Sequence, residues 1–250
     1  MERDLIEKER LYNIYKSNDL IQRTRYTLTA QEQKLILYLC SKIKDTDEDF
    51  ETYTFNIKDI CEVLNIPSHG DNLKYLKNTI LNLKNKSFWL RTETAETTCS
   101  WISKARLPHD NKDIIEIKLD EDLKPFLLLL KENFTTYSLV NTLCFDSKYS
   151  MRIYEILKSY QYKKKVIFTI DEIKYKLAIE NKFDKFSNFK TRVLDIAVRE
   201  INNYSDIIID YNVLKKGNKS FAIEFIICEN DIFDRNESQR KNKLNKSDLK

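Results

Sequence analysis

SNFKTRVLDIAVREIN (Ser187 to Asn202), followed by YSDIIIDYNVLKKGNKSFAIEFII (Tyr204 to Ile227), is the stretch whose reading decides the fold. Phe189, Val193, Leu194, Ala197, Val198 and Ile201 recur at i, i+4, i+5, i+8, i+9 and i+12, while Asn188, Thr191, Arg192, Asp195 and Arg199 point the other way. This pattern predicts a half-buried amphipathic helix with Ser187 as its N-cap. The β-branched runs Ile207 to Val213 and Phe221 to Ile227 bracket Lys215-Lys216-Gly217-Asn218-Lys219, which predicts a hairpin with a cationic tip. A helix leading into a basic hairpin is the back half of a winged helix-turn-helix unit.

Working outward, 250 residues suffice for one large domain or two ordinary ones, and two are expected. With 42% hydrophobic and 33% charged residues the chain is globular and rich in surface charge. Two glycines and three prolines argue against Gly-rich phosphate loops and many-turned all-β folds, and favour helices joined by short polar turns. A net charge of +4 is compatible with a nucleic-acid partner without requiring one. Cys40, Cys61, Cys99, Cys144 and Cys228 are odd in number, widely spaced and lack any CxxC pair, so they read as reduced core residues. Met1-Glu2-Arg3-Asp4 opens no signal peptide, and the longest apolar run, Phe126 to Leu130, is too short to cross a bilayer. A cytoplasmic protein without a membrane partner is the expectation.

Upstream, Leu5, Ile6, Tyr12 and Ile14 allow a short amphipathic helix or a loose arm. From Thr29, with Glu32 three residues on, LTAQEQKLILYLCSKI predicts a capped helix burying Leu35, Ile36, Leu39 and Ile43. An acidic loop, Asp45 to Glu51, ends it. Phe55 to Ile66 reads as a strand turning into a helix, followed by a Pro67-Ser68-His69-Gly70-Asp71 turn. Leu73, Leu76, Ile80 and Leu83 mark a further helix, and SFWLR, CSWISKARL and DIIEIKL read as three strands. Phe55, Ile57, Asp59, Ile60, Leu64 and Ile66 then reappear as Phe168, Ile170, Glu172, Ile173, Leu177 and Ile179, a constant offset of 113 residues. Allowing roughly four or five extra residues in the second turn, Leu76 and Ile80 match Val193 and Ala197 and Ser87 aligns with Ser205, and Leu35 and Leu39 of the early helix similarly meet Ile153 and Leu157. Each half therefore runs helix, strand, helix, helix, hairpin.

The fold class expected is α+β, two tandem winged helices related by an internal repeat. The expected divisions are an arm at 1–19, a first domain at 20–139, a second at 140–229 and a disordered polar tail at 230–250. The first domain includes a connector helix from Glu121 to about Lys131, with Pro125 in its first turns.

KSNDLIQRTRYTLTAQEQKLI (Lys16 to Ile36), LKPFLLLLKENFTTYSL (Leu123 to Leu139), SKYSMRIYEILKSY (Ser147 to Tyr160) and FKTRVLDIAVREIN (Phe189 to Asn202) resemble, in this order, the iteron-binding plasmid replication initiators of the RepB type. The resemblance covers about residues 16 to 228. It implies monomers that bind directly repeated origin DNA and host initiator or helicase-loading proteins as partners, with dimers that repress the initiator's own promoter. Phe189-Lys190-Thr191-Arg192 is less basic than the start of that family's recognition helix often is, so the base-reading set stays open.

On the second-domain helix, Arg192 suits guanine and Asn188 adenine, with Lys190, Thr191 and Arg199 beside them. Lys190 projects near the apolar sector and reaches DNA only through its place at the helix end. Lys215, Lys216 and Lys219 suit phosphates. Lys74, Lys77 and Asn78, with Lys84 and Lys86 nearby, form the equivalent face of the first domain. The bland alternative is a solvated polar face in each case. Trp89, Trp101, Ile102, Ile114, Ile115 and Ile117 suggest an apolar surface for a second copy, or simply a core.

No enzyme is expected. His69 and His109 are the only histidines, neither in a ligand-spaced motif, and no G-x-x-x-x-G-K-[ST] loop occurs, so neither metal nor cofactor is foreseen. A winged-helix repressor without origin function, and a winged-helix scaffold that never touches DNA, remain the alternatives.

Overall fold

The computed structural model describes residues 12–44, 46–63, 72–91 and 95–233. Leu5 and Ile6, Asp45, Leu64 and Ile66, the turn at 67–71 with His69, and the tail from 234 lie outside the described residues.

The chain opens on β1 (Asn13–Ser17) and α1 (Asn18–Gln22). Ile14 thus sits on a strand, not on the helix allowed by the sequence. Ile14 and Lys16 are buried and alternate with less buried neighbours, the period of a strand, and β7 (Phe134–Ser138) supplies the antiparallel partner. α2 (Ala30–Cys40) begins with the expected capping box: the Glu32 backbone N–H donates to Thr29 Oγ1 at 3.2 Å, and the Thr29 N–H donates to Glu32 Oε2 at 2.6 Å. β2 (Tyr53–Asn56) runs into α3 (Ile57–Val63), and α4 (Asn72–Lys84) buries Leu76, Thr79, Ile80 and Leu83.

Beyond α4 there are four strands where three were expected: β3 (Ser87–Arg91), β4 (Glu96–Ser100), β5 (Ile102–Arg106) and β6 (Ile114–Leu119). Trp101 makes the break. Its ring packs 4.7 Å from Phe88 and 5.0 Å from Tyr26, so the chain leaves the β3-β4 hairpin there and enters a second sheet of order β2-β6-β5. The expected connector helix is cut short as well. A 3-10 turn (Glu121–Leu123) and α5 (Lys124–Leu127) give way to an extended Leu128, and the chain returns to pair β7 with β1.

The second unit comprises α6 (Val140–Leu143), α7 (Lys148–Ser159), β8 (Lys165–Thr169), α8 (Ile170–Lys176), a long helix α9 over 186–204, β9 (Ile207–Lys216) and β10 (Lys219–Glu229). Its sheet order is β8-β10-β9. α3 starts at Ile57 and α8 at Ile170, the offset read from the sequence, and Phe55, Ile60, Phe168 and Ile173 are all buried. The protein is two winged-helix units in tandem. Asn230, expected at the head of a loose tail, is buried and donates from Nδ2 to the Ser205 carbonyl at 2.9 Å, so the second unit extends past Glu229.

One contiguous core runs through both units, with α7 at their junction. There Lys16 and Glu155, both buried, form an ion pair at 2.7 Å, and Tyr137 donates its hydroxyl to the same carboxylate oxygen at 2.5 Å. Arg152 donates to the carbonyls of Ile21 and Thr24 and lies 4.7 Å over the Tyr26 ring. Burial opposes charge on Lys16, but Glu155 beside it outweighs burial and raises its pKa. Burial likewise opposes charge on Glu155, and Lys16 with Arg152 outweighs it and lowers its pKa. The pair stays ionised, and removing one partner would strand the other at a cost of about 3–5 kcal/mol.

Four of the six residues suggested as an apolar surface on the first unit, Trp101, Ile102, Ile115 and Ile117, are core instead. The outward face of that sheet carries Thr54, Lys104, Arg106, Glu116 and Lys118, because the two-residue period of β6 turns its isoleucines 115 and 117 inward. Trp89 alone of the set is exposed, at 59%. Cys40, Cys61 and Cys99 are buried free thiols as expected, whereas Cys144 and Cys228 are exposed.

Candidate nucleic-acid interface

α9 starts at Phe186, one residue before the expected cap, with Lys185 at the cap position and no side-chain cap bond. It passes through a π-helical segment (Lys190–Leu194) and continues as Asp195–Tyr204. Phe189, Val193, Leu194, Ala197 and Ile201 are buried, and Asn188, Thr191, Arg192 and Arg199 are exposed along the other side. Thr191 donates its hydroxyl to the Ser187 carbonyl at 3.0 Å. Lys190 donates to both oxygens of Asp195, at 3.0 and 2.9 Å.

The helix is fixed firmly to its surroundings. Glu200, buried, accepts the backbone N–H groups of Asp146 and Ser147 where α7 begins. Asn202 donates to the Ile209 carbonyl at 2.9 Å and accepts the Ile209 N–H at 2.7 Å, so its amide occupies part of the free edge of β9. Tyr211 on β9 donates its hydroxyl to Asp195 Oδ1 at 2.6 Å. Burial raises the Asp195 pKa, yet the bonds from Tyr211 and Lys190 outweigh it and hold the carboxyl below its ordinary value. The bond to Asp195 raises the Lys190 pKa.

Lys215, Lys216 and Lys219 stand exposed at the β9-β10 tip, as the sequence suggested. Gly217 turns the chain at φ +63°, where a Cβ would meet no neighbour but the backbone would be strained. In the first unit Lys74, Lys77 and Asn78 are exposed on α4. Lys86 pairs instead with Glu32 at 2.6 Å, and Lys84 donates to the Ser103 carbonyl.

A cleft of about 740 Å³ separates the units, bordered by Arg25, Lys86, Trp89, Arg91 and Tyr175 and floored by Trp101. Arg25 pairs with Glu180 at 2.7 Å and lies 5.0 Å over Tyr175, while Arg91 pairs with Glu96 at 2.6 Å. Sequence reasoning did not assemble this border, nor the roles of Asp195, Glu200 and Tyr211, because the partners lie on different elements. One local signal was present: Lys190 and Asp195, like Phe189 and Leu194, stand five residues apart. Among the described residues no group of three or more His, Cys, Asp or Glu is placed to hold a metal ion, and no helix is long and apolar enough to cross a membrane.

Residues 13–158 match the family model described as Initiator Replication protein, WH1, and residues 169–227 match Initiator Rep protein, WH2. The chain belongs to the initiator replication protein family. This initiator is 28% identical over 225 residues to an Escherichia coli "Replication initiation protein", covering 85% of this chain and 68% of that one. It is also 28% identical over 137 residues to the Escherichia coli "PI protein", covering 47% of this chain and 45% of the relative. Among solved structures it is similar to RctB domains 2-3 with a TM-score of 0.44 and 12% identity, covering 87% of this chain and 88% of that one. Membership in a plasmid replication initiator family carries DNA binding with it.

Proposed function

We propose that the protein initiates plasmid replication by binding directly repeated origin DNA, with α9 in the major groove and the β9-β10 tip on adjacent phosphates. The observation that carries this reading is the Tyr211–Asp195 hydrogen bond, which ties the helix exposing Asn188, Thr191 and Arg192 to the strand leading to the lysine tip, within a member of the initiator family. An arginine fork suits the paired acceptors of guanine and an asparagine amide suits adenine, whereas flexible ammonium groups see mainly phosphate. Lys74, Lys77 and Asn78 on α4 supply a second, less selective contact, and the monomer is the form that spans a repeat. Dimers that repress the protein's own promoter, and recruitment of host initiator or helicase-loading proteins, complete the proposal on the strength of the family resemblance.

Binding of the full chain to a random-sequence duplex library, followed by sequencing of the bound fraction, tests it. The expected outcome is enrichment of one directed motif, with affinity falling steeply as salt rises, by about 0.9 in log K per log salt for each phosphate contacted. Enrichment of a short palindrome alone would favour a repressor. A flat salt response without enrichment would favour a scaffold.

A further inference from the structure

The polar face of α9 is built around a wide turn. The Asp195 N–H donates to the Lys190 carbonyl, five residues back. In a regular α-helix, at about 100° per residue, positions five apart diverge by about 140° around the axis, so Lys190 and Asp195 would point away from one another. Here the wide turn brings them together, and Lys190 Nζ reaches both Asp195 oxygens. The same two residues are thus joined through main chain and side chain. Phe189 and Leu194, also five apart, are both buried, which holds the turn from the inside. A third connection comes from the wing: Tyr211, whose ring lies 6.3 Å from Phe225 and 5.9 Å from Lys190 Nζ, donates to Asp195 from the strand that leads to Lys215 and Lys216.

One extra residue in a turn rotates every residue before it by about 100° relative to every residue after it. Asn188, Thr191 and Arg192 lie before or within the wide turn, and Arg199 lies after it. Whether the turn is kept therefore decides which of these side chains look the same way as the lysine tip.

We propose that Asp195 is a positioning residue for sequence reading: through Lys190 and Tyr211 it holds the wide turn and sets the direction of Asn188, Thr191 and Arg192 relative to the wing. Lys190 is then a strut and makes no phosphate contact. The inference rests on the DNA-reading role of α9 proposed above.

The test uses the full chain with Lys190→Met, Asp195→Asn or Tyr211→Phe, each measured on the duplex enriched by the wild type and on an unrelated duplex across a salt series. Lys190→Met and Asp195→Asn are expected to lower the ratio of selected to unrelated affinity roughly tenfold, the size of one misdirected bidentate base contact, with broadened base preference. The double variant is expected to lose no more than the worse single one, since both remove the same pair. The salt slope on the unrelated duplex should not change. Tyr211→Phe deletes one hydroxyl on the neighbouring strand and should reproduce the broadening more weakly, which keeps the test open if an α9 variant fails to fold. Equal loss on both duplexes after Lys190→Met, with a salt slope smaller by about 0.9, would make Lys190 a phosphate contact and overturn the inference. Unchanged ratios in all three variants would overturn it too. A wild-type protein without any sequence preference would remove the reading role of α9 itself, an outcome visible before any variant is made.

Discussion

Thr54 and Ile167 hold the same place in two copies of one unit: each lies on the strand that enters a helix, and each faces a glutamate across the sheet, Glu116 and Glu224 respectively. Behind them the copies agree, since Phe55 and Phe168 are both buried. In front they part. The first sheet shows Lys104, Arg106 and Lys118 on its outer face, where the second, in the same register, shows Asp210, Asn212 and Ile226. The tips differ more. Residues 107–113 of the first unit carry His109, Asp110, Lys112 and Asp113, against Lys215, Lys216 and Lys219 in the second. α4 runs as a regular α-helix, whereas α9 contains the wide turn. Burial restrains the inner positions, because a change of one methylene in a packed core is felt, while surface positions are free to diverge. The proposed division, with sequence reading in the second unit and support from the first, rests on this difference.

The junction offers the largest effect by which to break that picture. Glu155→Ala should strand Lys16 in the core and cost about 3–5 kcal/mol. At this chain length that corresponds to roughly 6–20 °C in thermal midpoint, with both units melting together in calorimetry. Two separated transitions would show that the units stand independently. The same pair sets a pH dependence. Glu155, with its folded pKa lowered, contributes stability above its ordinary value that is lost as pH falls through the folded one; Lys16, raised, contributes stability below its ordinary value that is lost as pH rises through the folded one. Between those limits the contribution should stay flat.

Next in size is Arg192→Ala, expected to cost about 1–3 kcal/mol on the selected duplex and to relax preference at one base position. Lys77→Ala, on α4, should change affinity without changing preference. If that substitution relaxed preference and Arg192→Ala did not, the roles of the units would be reversed.

Smaller still, Lys216→Ala should weaken all duplexes about equally and lower the salt slope by about 0.9, whereas Lys112→Ala at the first tip should leave it unchanged. The comparison of tips fails if the two substitutions behave alike in a fluorescence titration. Least of all, Trp89→Ser should shift stability by no more than about 0.5 kcal/mol in urea unfolding, because its ring is largely exposed. A larger loss would mean that the ring is covered by a partner in solution.

Contacts within a few residues were legible in the sequence. The capping box of Thr29 and Glu32, the apolar stripe of α9, the glycine turn between Lys216 and Lys219, and the repeated strand and helix at an offset of 113 each depend on neighbours along the chain, so residue type and spacing determined them. Tertiary structure alone decided the rest. Five residues of β1 can alternate as a strand or wind as a helix until β7, more than a hundred positions away, supplies the hydrogen-bonding edge. Trp101 reads as one more strand residue until Phe88 and Tyr26 close over it. Nothing beside Lys16 in the chain marks it for the core, because only the fold brings Glu155 within 2.7 Å of it. The wide turn that aims Arg192 obeys the same rule: its spacing is written in the chain, but the hydroxyl that steadies it comes from Tyr211, on a strand that packs against the helix only after folding.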